Sequence, residues 1–300
     1  VTLDEIVGLK LNAVADAVAL ESFTAHQIIG TVCGRVHIGG TSVDPYVSGT
    51  IKSSGFSYGD YHIDSGDANI AYYNSTLDIR DATLYVGRGS VKAKGQYNFD
   101  SGDFSVDSTI HDAEIASFTQ NLSYPVSGVM NGRVLVNGKN SIITVIEGDV
   151  RGSNIVSSGV AVDSAQATFR KSGNHTDVAV VGDMGNGKIS GYGTIEGNQL
   201  NLSLSADSID ATSFNGFIGN GLAGTLTGHA LVTGDIDNVS VEGRITSPEI
   251  IYNSSRLNSI NAGFTIKDHV LDLQDASIGD GDGAFTVNGT LNLKSKALSM

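Results

Sequence analysis

Hydrophobic and polar residues alternate along most of this chain, in short runs separated by glycine, asparagine, aspartate and serine. In the run from Leu222 to Gly234, every second residue is apolar or glycine. A period of two places successive side chains on opposite faces of a β-strand. Because such runs of six to nine residues recur about every ten residues, the pattern predicts about 24 to 28 short strands in an antiparallel sheet with one wet face.

Three copies of this run occur in the chain. Residues 30–40 (GTVCGRVHIGG), 128–138 (GVMNGRVLVNG) and 224–234 (GTLTGHALVTG) keep glycines at the same places and the same phase of alternation. Further anchors follow in the same order: VSGTI, IEGDV and VEGRI around Gly49, Gly148 and Gly243, and then glycines six apart at 89–95, 187–193 and 283–289. The chain therefore reads as repeats of about 96 residues.

The repeats set the predicted organisation. Residues 1–29 are read as the end of a preceding unit, 30–123 as repeat 1, 124–219 as repeat 2 and 220–300 as an incomplete repeat 3, within one elongated β domain. Each unit ends in a Ser-Phe pair, at Phe23, Phe118 and Phe214. At these ends we expect a strand followed by a helical turn or corner, and we expect the chain to be an internal piece of a longer protein.

Composition and charge exclude some classes of function. A net charge of -14 repels phosphate backbones, so nucleic acid is not an expected partner. One cysteine, Cys33, rules out an intrachain disulfide framework, and the chain lacks the usual zinc signatures. We expect no metal and no cofactor.

Two glycine-rich segments look like ligand loops, but the sequence favours turns for both. Residues 182–188, GDMGNGK, have P-loop spacing. However, Ile189 occupies the position of the Ser or Thr whose hydroxyl would bind magnesium, and a strand follows instead of a helix. Residues 279–283, GDGDG, offer only Asp280 and Asp282, whereas calcium takes 6–8 oxygen ligands. The seven histidines lie far apart and are expected at the surface; they are His26, His37, His62, His111, His175, His229 and His269.

The order of the anchors carries a family resemblance. From Leu222 through Gly243 to Leu293 the chain reads L-x-G-x-L-x-G-x-x-x-V-x-G, then V-x-G-x-I, then G-x-x-x-V-x-G-x-L-x-L. This pattern resembles the AsmA-like superfamily, particularly its TamB branch, over the whole chain. The resemblance implies a long antiparallel sheet folded lengthwise into a U-shaped β-taco with an apolar groove. It also implies a periplasmic bridge, anchored in the inner membrane and docking to an outer-membrane component, which moves glycerophospholipids between the two membranes and has a related role in outer-membrane biogenesis.

The alternation itself predicts a compatible site. A sheet with one apolar face needs a cover, and the repeats contain no amphipathic helix to supply one, so we expect the sheet to curl around phospholipid acyl chains. Gly34, Gly132 and Gly228 are expected to permit the curvature. The predicted groove lining is Val32, Val36, Ile38, Val91, Met130, Val134, Val136, Ile189, Leu200, Leu202, Leu204, Leu222, Leu226, Ala230, Val232, Leu271, Leu273, Phe285, Val287, Leu291 and Leu293.

Two other functions remain open on the sequence alone. A secreted adhesin or autotransporter stalk built as a β-helix shares the richness in glycine, asparagine and serine, but its coils repeat at a much shorter period. An enzyme on a β scaffold would need acidic, basic or histidine residues clustered on the concave face, where this pattern places aliphatic residues, so we expect no catalytic activity. The open edges of the sheet are expected to allow self-association.

Overall fold

The computed structural model is all-β and contains an open antiparallel sheet. It describes residues 8–22, 28–119, 125–218, 220–280, 283–295 and 297–299, and these contain 20 strands. The fold divides into two compact units, residues 1–119 with 129–150 (unit 1) and residues 120–128 with 151–300 (unit 2).

Unit 1 is a run of antiparallel strands in chain order. Each strand pairs with the next one, except that β3 pairs with both the short β4 and β5. Its strands are β1 (Gly8–Ala19), β2 (Ile28–Thr41), β3 (Pro45–Tyr58), β4 (Tyr61–Ile63), β5 (Ser65–Tyr73), β6 (Thr76–Val86), β7 (Gly89–Asn98), β8 (Phe104–Glu114) and most of β9 (Val126–Lys139).

Unit 2 continues the same plan after β10 (Ile142–Ser157), a strand that the division into units cuts at Val150. From β11 onward, each strand pairs antiparallel with its successor. The strands are β11 (Val160–Ser172), β12 (His175–Met184), β13 (Gly187–Glu196), β14 (Gln199–Asp210), β15 (Leu222–Asp235), β16 (Asn238–Tyr252), β17 (Ser255–Lys267), β18 (Val270–Asp280), β19 (Gly283–Asn292) and β20 (Leu298–Ser299).

The strands are longer and fewer than the sequence predicts. The estimate of about 24 to 28 strands is wrong for the described residues, since 20 strands cover them and β10 alone has 16 residues. The reason is that several breaks in the alternation are β-bulges within a strand and not turns between strands. The pairing of β14 with β15, for example, shifts register between Ala206 and Ile209.

Short helical corners follow three of the strands, as predicted. A 3-10 turn at Leu20–Ser22 follows β1, an α-helical turn at Ala116–Thr119 lies beyond β8, and β14 leads into Ala211–Phe214 and Asn215–Ile218. The last corner is capped by Asp210, whose carboxylate accepts a hydrogen bond from the backbone N–H of Thr212 at 2.9 Å. Phe23 lies outside the described residues. In the described part of the chain, no helix has the length and apolar character to cross a membrane.

Three 14-residue strands carry the glycine-rich runs. They are β2, β9 and β15, and the third residue of each is a glycine with positive φ: 153° at Gly30, 135° at Gly128 and 129° at Gly224. Side chains disfavour this backbone conformation, which explains a glycine at this place. The boundaries of the 96-residue repeats stay a prediction.

Candidate functional site: the apolar faces of the sheet

The strand registers of unit 1 assemble one apolar face. Residues directly opposite each other in antiparallel strands point to the same side of the sheet. Starting from Val36, directly opposed partners run across the unit through β3, β5, β6, β7, β8 and β9 and are small or aliphatic throughout: Gly49, Ile70, Ile79, Gly95, Val106 and Val136. Unit 1 thus has a continuous apolar face, defined by this row and the parallel rows beside it.

Unit 2 has an apolar face of its own, built in the same way. Its central row begins at Phe169 in β11 and continues strand by strand to β19 without a polar residue. The row consists of Phe169, Val178, Gly193, Leu202, Val232, Val241, Ile266, Leu271 and Leu291. Alternation with a period of two, together with antiparallel pairing, is sufficient to produce this arrangement.

The structure distributes the predicted lining residues between these two faces. Val32, Val36, Ile38, Val91, Met130, Val134 and Val136 share rows with the apolar face of unit 1. Ile189, Leu200, Leu202, Leu204, Leu222, Leu226, Ala230, Val232, Leu271, Leu273, Phe285, Val287 and Leu291 share rows with that of unit 2. Leu293 lies in the turn after β19, and Phe285 is 62% exposed.

The side chains of both faces are only half-buried. Val36, Ile79 and Val106 in unit 1, and Leu202 and Val232 in unit 2, keep part of their surface accessible. Among the described residues, no large side chain is fully buried, and the most buried apolar residues are mainly alanines. A closed hydrophobic core would bury its aliphatic side chains completely. These faces therefore leave apolar surface available for a ligand.

A cavity of about 370 Å³ lies on the apolar face of unit 1. Residues of β2, β3, β5, β6, β7 and β8 line it, and Leu20 of the first corner also contributes. Almost no polar surface borders the cavity. Its size lies within the range of roughly 300–1,000 Å³ that small-molecule pockets occupy.

The three predicted curvature glycines lie where two backbones approach closely. A Cβ atom on Gly34, Gly132 or Gly228 would stand 2.5 Å from the carbonyl oxygen of Thr50, Asp149 or Arg244, respectively. A contact this short forces the neighbouring strand to move. Glycine is therefore required by the strand spacing at these positions.

The opposite face of each unit is charged and hydrogen-bonded. In unit 1, Arg133 makes a bidentate contact with Asp107, with Nε donating to Oδ1 at 2.7 Å and Nη2 donating to Oδ2 at 2.5 Å. The hydrogen bonds from Arg133 lower the pKa of Asp107, and the same pair raises the pKa of Arg133. Both side chains are exposed, so the pair contributes little to stability.

Unit 2 carries two charged groups on the face opposite its apolar rows. Lys188 donates a hydrogen bond to Asp183, which also accepts one from the Ser164 hydroxyl at 2.8 Å; the bond from Lys188 is the larger cause of the lowered pKa of Asp183. His175 lies between Glu196 and Asp177, and its hydrogen bond to Glu196 is the main cause of its raised pKa.

The segments that resembled ligand loops are hairpin turns where they are described. Met184 pairs with Gly187, so the P-loop-like segment consists of the end of β12, a two-residue turn and the start of β13. Asp280 pairs with Gly283 at the end of β18, while Gly281 and Asp282 of the calcium candidate lie outside the described residues, as does His26. Throughout the described ranges, no three His, Cys, Asp or Glu residues are arranged to hold a metal ion.

Sequence reasoning missed the bulges that bend β8 and β14. Asp112 and Ser208 have φ of 48° and 54°, and the backbone N–H of each donates at 3.0 Å to a side chain of the next strand, Asn131 Oδ1 and Thr227 Oγ1. Asn131 and Thr227 occupy the same place in their copies of the glycine-rich run, directly before Gly132 and Gly228. That shared polar position was the available signal.

Comparison with known proteins returned no similarity: no family model, curated protein or solved structure matches the chain.

Proposed function

We propose that this chain is a segment of a periplasmic bridge that conducts glycerophospholipids between inner and outer membrane. The observation that carries the proposal is the apolar face, whose central row contains no polar residue from β2 to β9 in unit 1, passing from β3 directly to β5, or from β11 to β19 in unit 2. Its half-buried side chains leave surface that acyl chains can cover. Each CH₂ group moved from water to such a surface contributes about 0.8 kcal/mol.

We further propose how the sheet is curved. The sheet curls lengthwise into a U-shaped trough, with the apolar rows inside and pairs such as Arg133–Asp107 outside. The close backbone approaches at Gly34, Gly132 and Gly228 support local bending. The tails lie in the trough, and the polar headgroups remain in water.

The repeat and its resemblance to the TamB branch of the AsmA-like superfamily also belong to the proposal. Recurring local geometry supports them: Gly30, Gly128 and Gly224 share a positive φ, and the bulge residues Asp112 and Ser208 are 96 positions apart. The resemblance further implies that the full-length protein is anchored in the inner membrane of a diderm bacterium and docks to an outer-membrane component.

The competing β-helical stalk finds less support. The coils of a β-helix stack in parallel, whereas the pairings within both units are antiparallel. An enzyme would place acid, base or nucleophile side chains in the concave surface. The central rows of the two apolar faces hold none, and the charged pairs lie on the opposite face.

Vesicle transfer tests the proposal. The full-length protein should accelerate movement of a fluorescent phosphatidylethanolamine from donor to acceptor vesicles. Leu202→Asp should abolish the acceleration because it places a charge in the central apolar row of unit 2. Ser203→Asp, the next residue on the opposite face, should retain it. Equal transfer by the two variants would contradict conduction along this face.

A further inference from the structure

The cavity of unit 1 has a floor and two walls, which the strand registers define. Ala68, Ala82 and Ala93 oppose one another in β5, β6 and β7 and form a row of small side chains. All three line the cavity. The next residue of the row, Ser108 in β8, is also small. The floor therefore crosses four neighbouring strands without a bulky side chain.

Larger side chains stand on both sides of this floor. Ile70 and Ile79 oppose each other on one side, and on the other side Leu84 lies opposite Gly66, which has no side chain; all four residues line the cavity. Gly66 and Ile70 are four residues apart in β5, so the two wall rows are separated by about 14 Å along the strands. Once the wall side chains fill part of that width, one hydrocarbon chain fits between them.

The length of the cavity also suits one acyl chain. Six strands from β2 to β8 line it, and five spacings of about 4.8 Å give about 24 Å. A lipid tail spans one leaflet, half of a hydrocarbon core that is about 30 Å thick. A single tail of about 15 Å is therefore short enough to fit within the cavity, perpendicular to the strands.

The corresponding row of unit 2 is interrupted. Ala165 and Gly182 oppose each other, but the next residue of the row is Ile189. Ala206 and Gly228 follow as a second small pair, after which Ile245 interrupts the row again. Over this stretch of unit 2, at most two neighbouring strands therefore carry small residues in the same row, whereas four neighbouring strands do so in unit 1.

We propose that the cavity over Ala68, Ala82 and Ala93 is a discrete seat for one acyl chain, so that the apolar surface has a resting position and is not uniform. The inference deepens the proposed function and rests on its premise that the apolar face holds acyl chains. A free fatty acid and one tail of a phospholipid present the same hydrocarbon to this seat.

Photocrosslinking on the purified chain locates the seat. One probe is palmitate with a terminal diazirine, and the other is phosphatidylglycerol with the same diazirine on one tail. Peptides of β5 to β8 should carry most of the crosslinks. Labelling there by both probes, or by only one, supports the seat and identifies the source of the chain. Crosslinks spread evenly over both units with both probes would overturn it.

Matched substitutions add an independent readout. Ala93→Phe fills the floor and should reduce crosslinking of β5 to β8 at least tenfold, whereas Ala165→Phe, in the interrupted row of unit 2, should leave it unchanged. Undiminished labelling in folded Ala93→Phe would contradict the seat. Should Ala93→Phe not fold, the crosslink positions in the unmodified chain still decide the question. Failure of the unmodified full-length protein to accelerate vesicle transfer, by contrast, would overturn conduction and leave the seat standing.

Discussion

Asp112 and Asn131 exchange two hydrogen bonds across β8 and β9. The backbone N–H of Asp112 donates to Asn131 Oδ1 at 3.0 Å, and Asn131 Nδ2 donates back to Asp112 Oδ1 at 3.1 Å. Asp112 has a φ of 48° and lies in the register shift between Ile110 and Ala113. The side chain of Asn131 therefore supplies the acceptor that the backbone of the partner strand cannot offer at a bulge.

Replacing Asn131 by alanine tests the contribution of this pair. We expect Asn131→Ala to lower the free energy of unfolding by about 1 kcal/mol, since the lost hydrogen bonds are exposed and water replaces them in part. Asn137→Ala, on the same face of β9, is the matched control, and urea unfolding measures both. Equal stability of the two variants would show that the bulge does not depend on Asn131.

Gly228 provides a test of the close backbone approach. Gly228→Ala puts a Cβ atom 2.5 Å from the carbonyl oxygen of Arg244, so β16 must shift. The expected loss is about 1–3 kcal/mol of unfolding free energy, as for overpacked positions. At Gly283 nothing lies within 4 Å of the added atom, and Gly283→Ala should be neutral or stabilise by about 0.4–1 kcal/mol. Two equally stable variants would refute the steric account.

The Arg133–Asp107 pair predicts a pH dependence of stability. The folded-state pKa of Asp107 is lowered, chiefly by the hydrogen bonds from Arg133. The stabilisation is therefore present above the unfolded pKa of about 3.9 and is lost as the pH falls through the folded value. Arg133→Met should raise the pKa of Asp107 in a carbon-13 carboxyl titration, while Arg35→Met should not. An unchanged pKa in Arg133→Met would exclude the pair as its cause.

The contribution of His175 to stability changes with pH in the opposite direction to that of Asp107. Its folded-state pKa is raised, first by Glu196 and then by Asp177, so its contribution to stability is complete below about 6.5 and disappears as the pH rises through the folded value. NMR titration of the imidazole should show a larger fall in pKa for Glu196→Gln than for Asp177→Asn. The reverse order would assign the main interaction to Asp177.

The pattern of alternation predicts the all-β antiparallel fold because a period of two specifies both the strand and the face that each residue occupies. It places Val36 and Val106 on one face although 70 residues separate them. It does not predict the bulges at Asp112 and Ser208, since polar residues with positive φ are also typical of turns. The cavity was not predictable either, because it depends on the register that aligns Ala68, Ala82 and Ala93 across three strands.

Lipid occupancy of the purified chain tests the central claim most directly. Solvent extraction and mass spectrometry should recover phospholipid from the unmodified chain and from Leu231→Asp, whose substitution lies on the charged face. Val232→Asp, one residue away in the apolar row of β15, should lose most of it while keeping its β-sheet circular dichroism. Recovery of no lipid from the unmodified chain, or of equal amounts from the two variants, would contradict an acyl-chain-binding face.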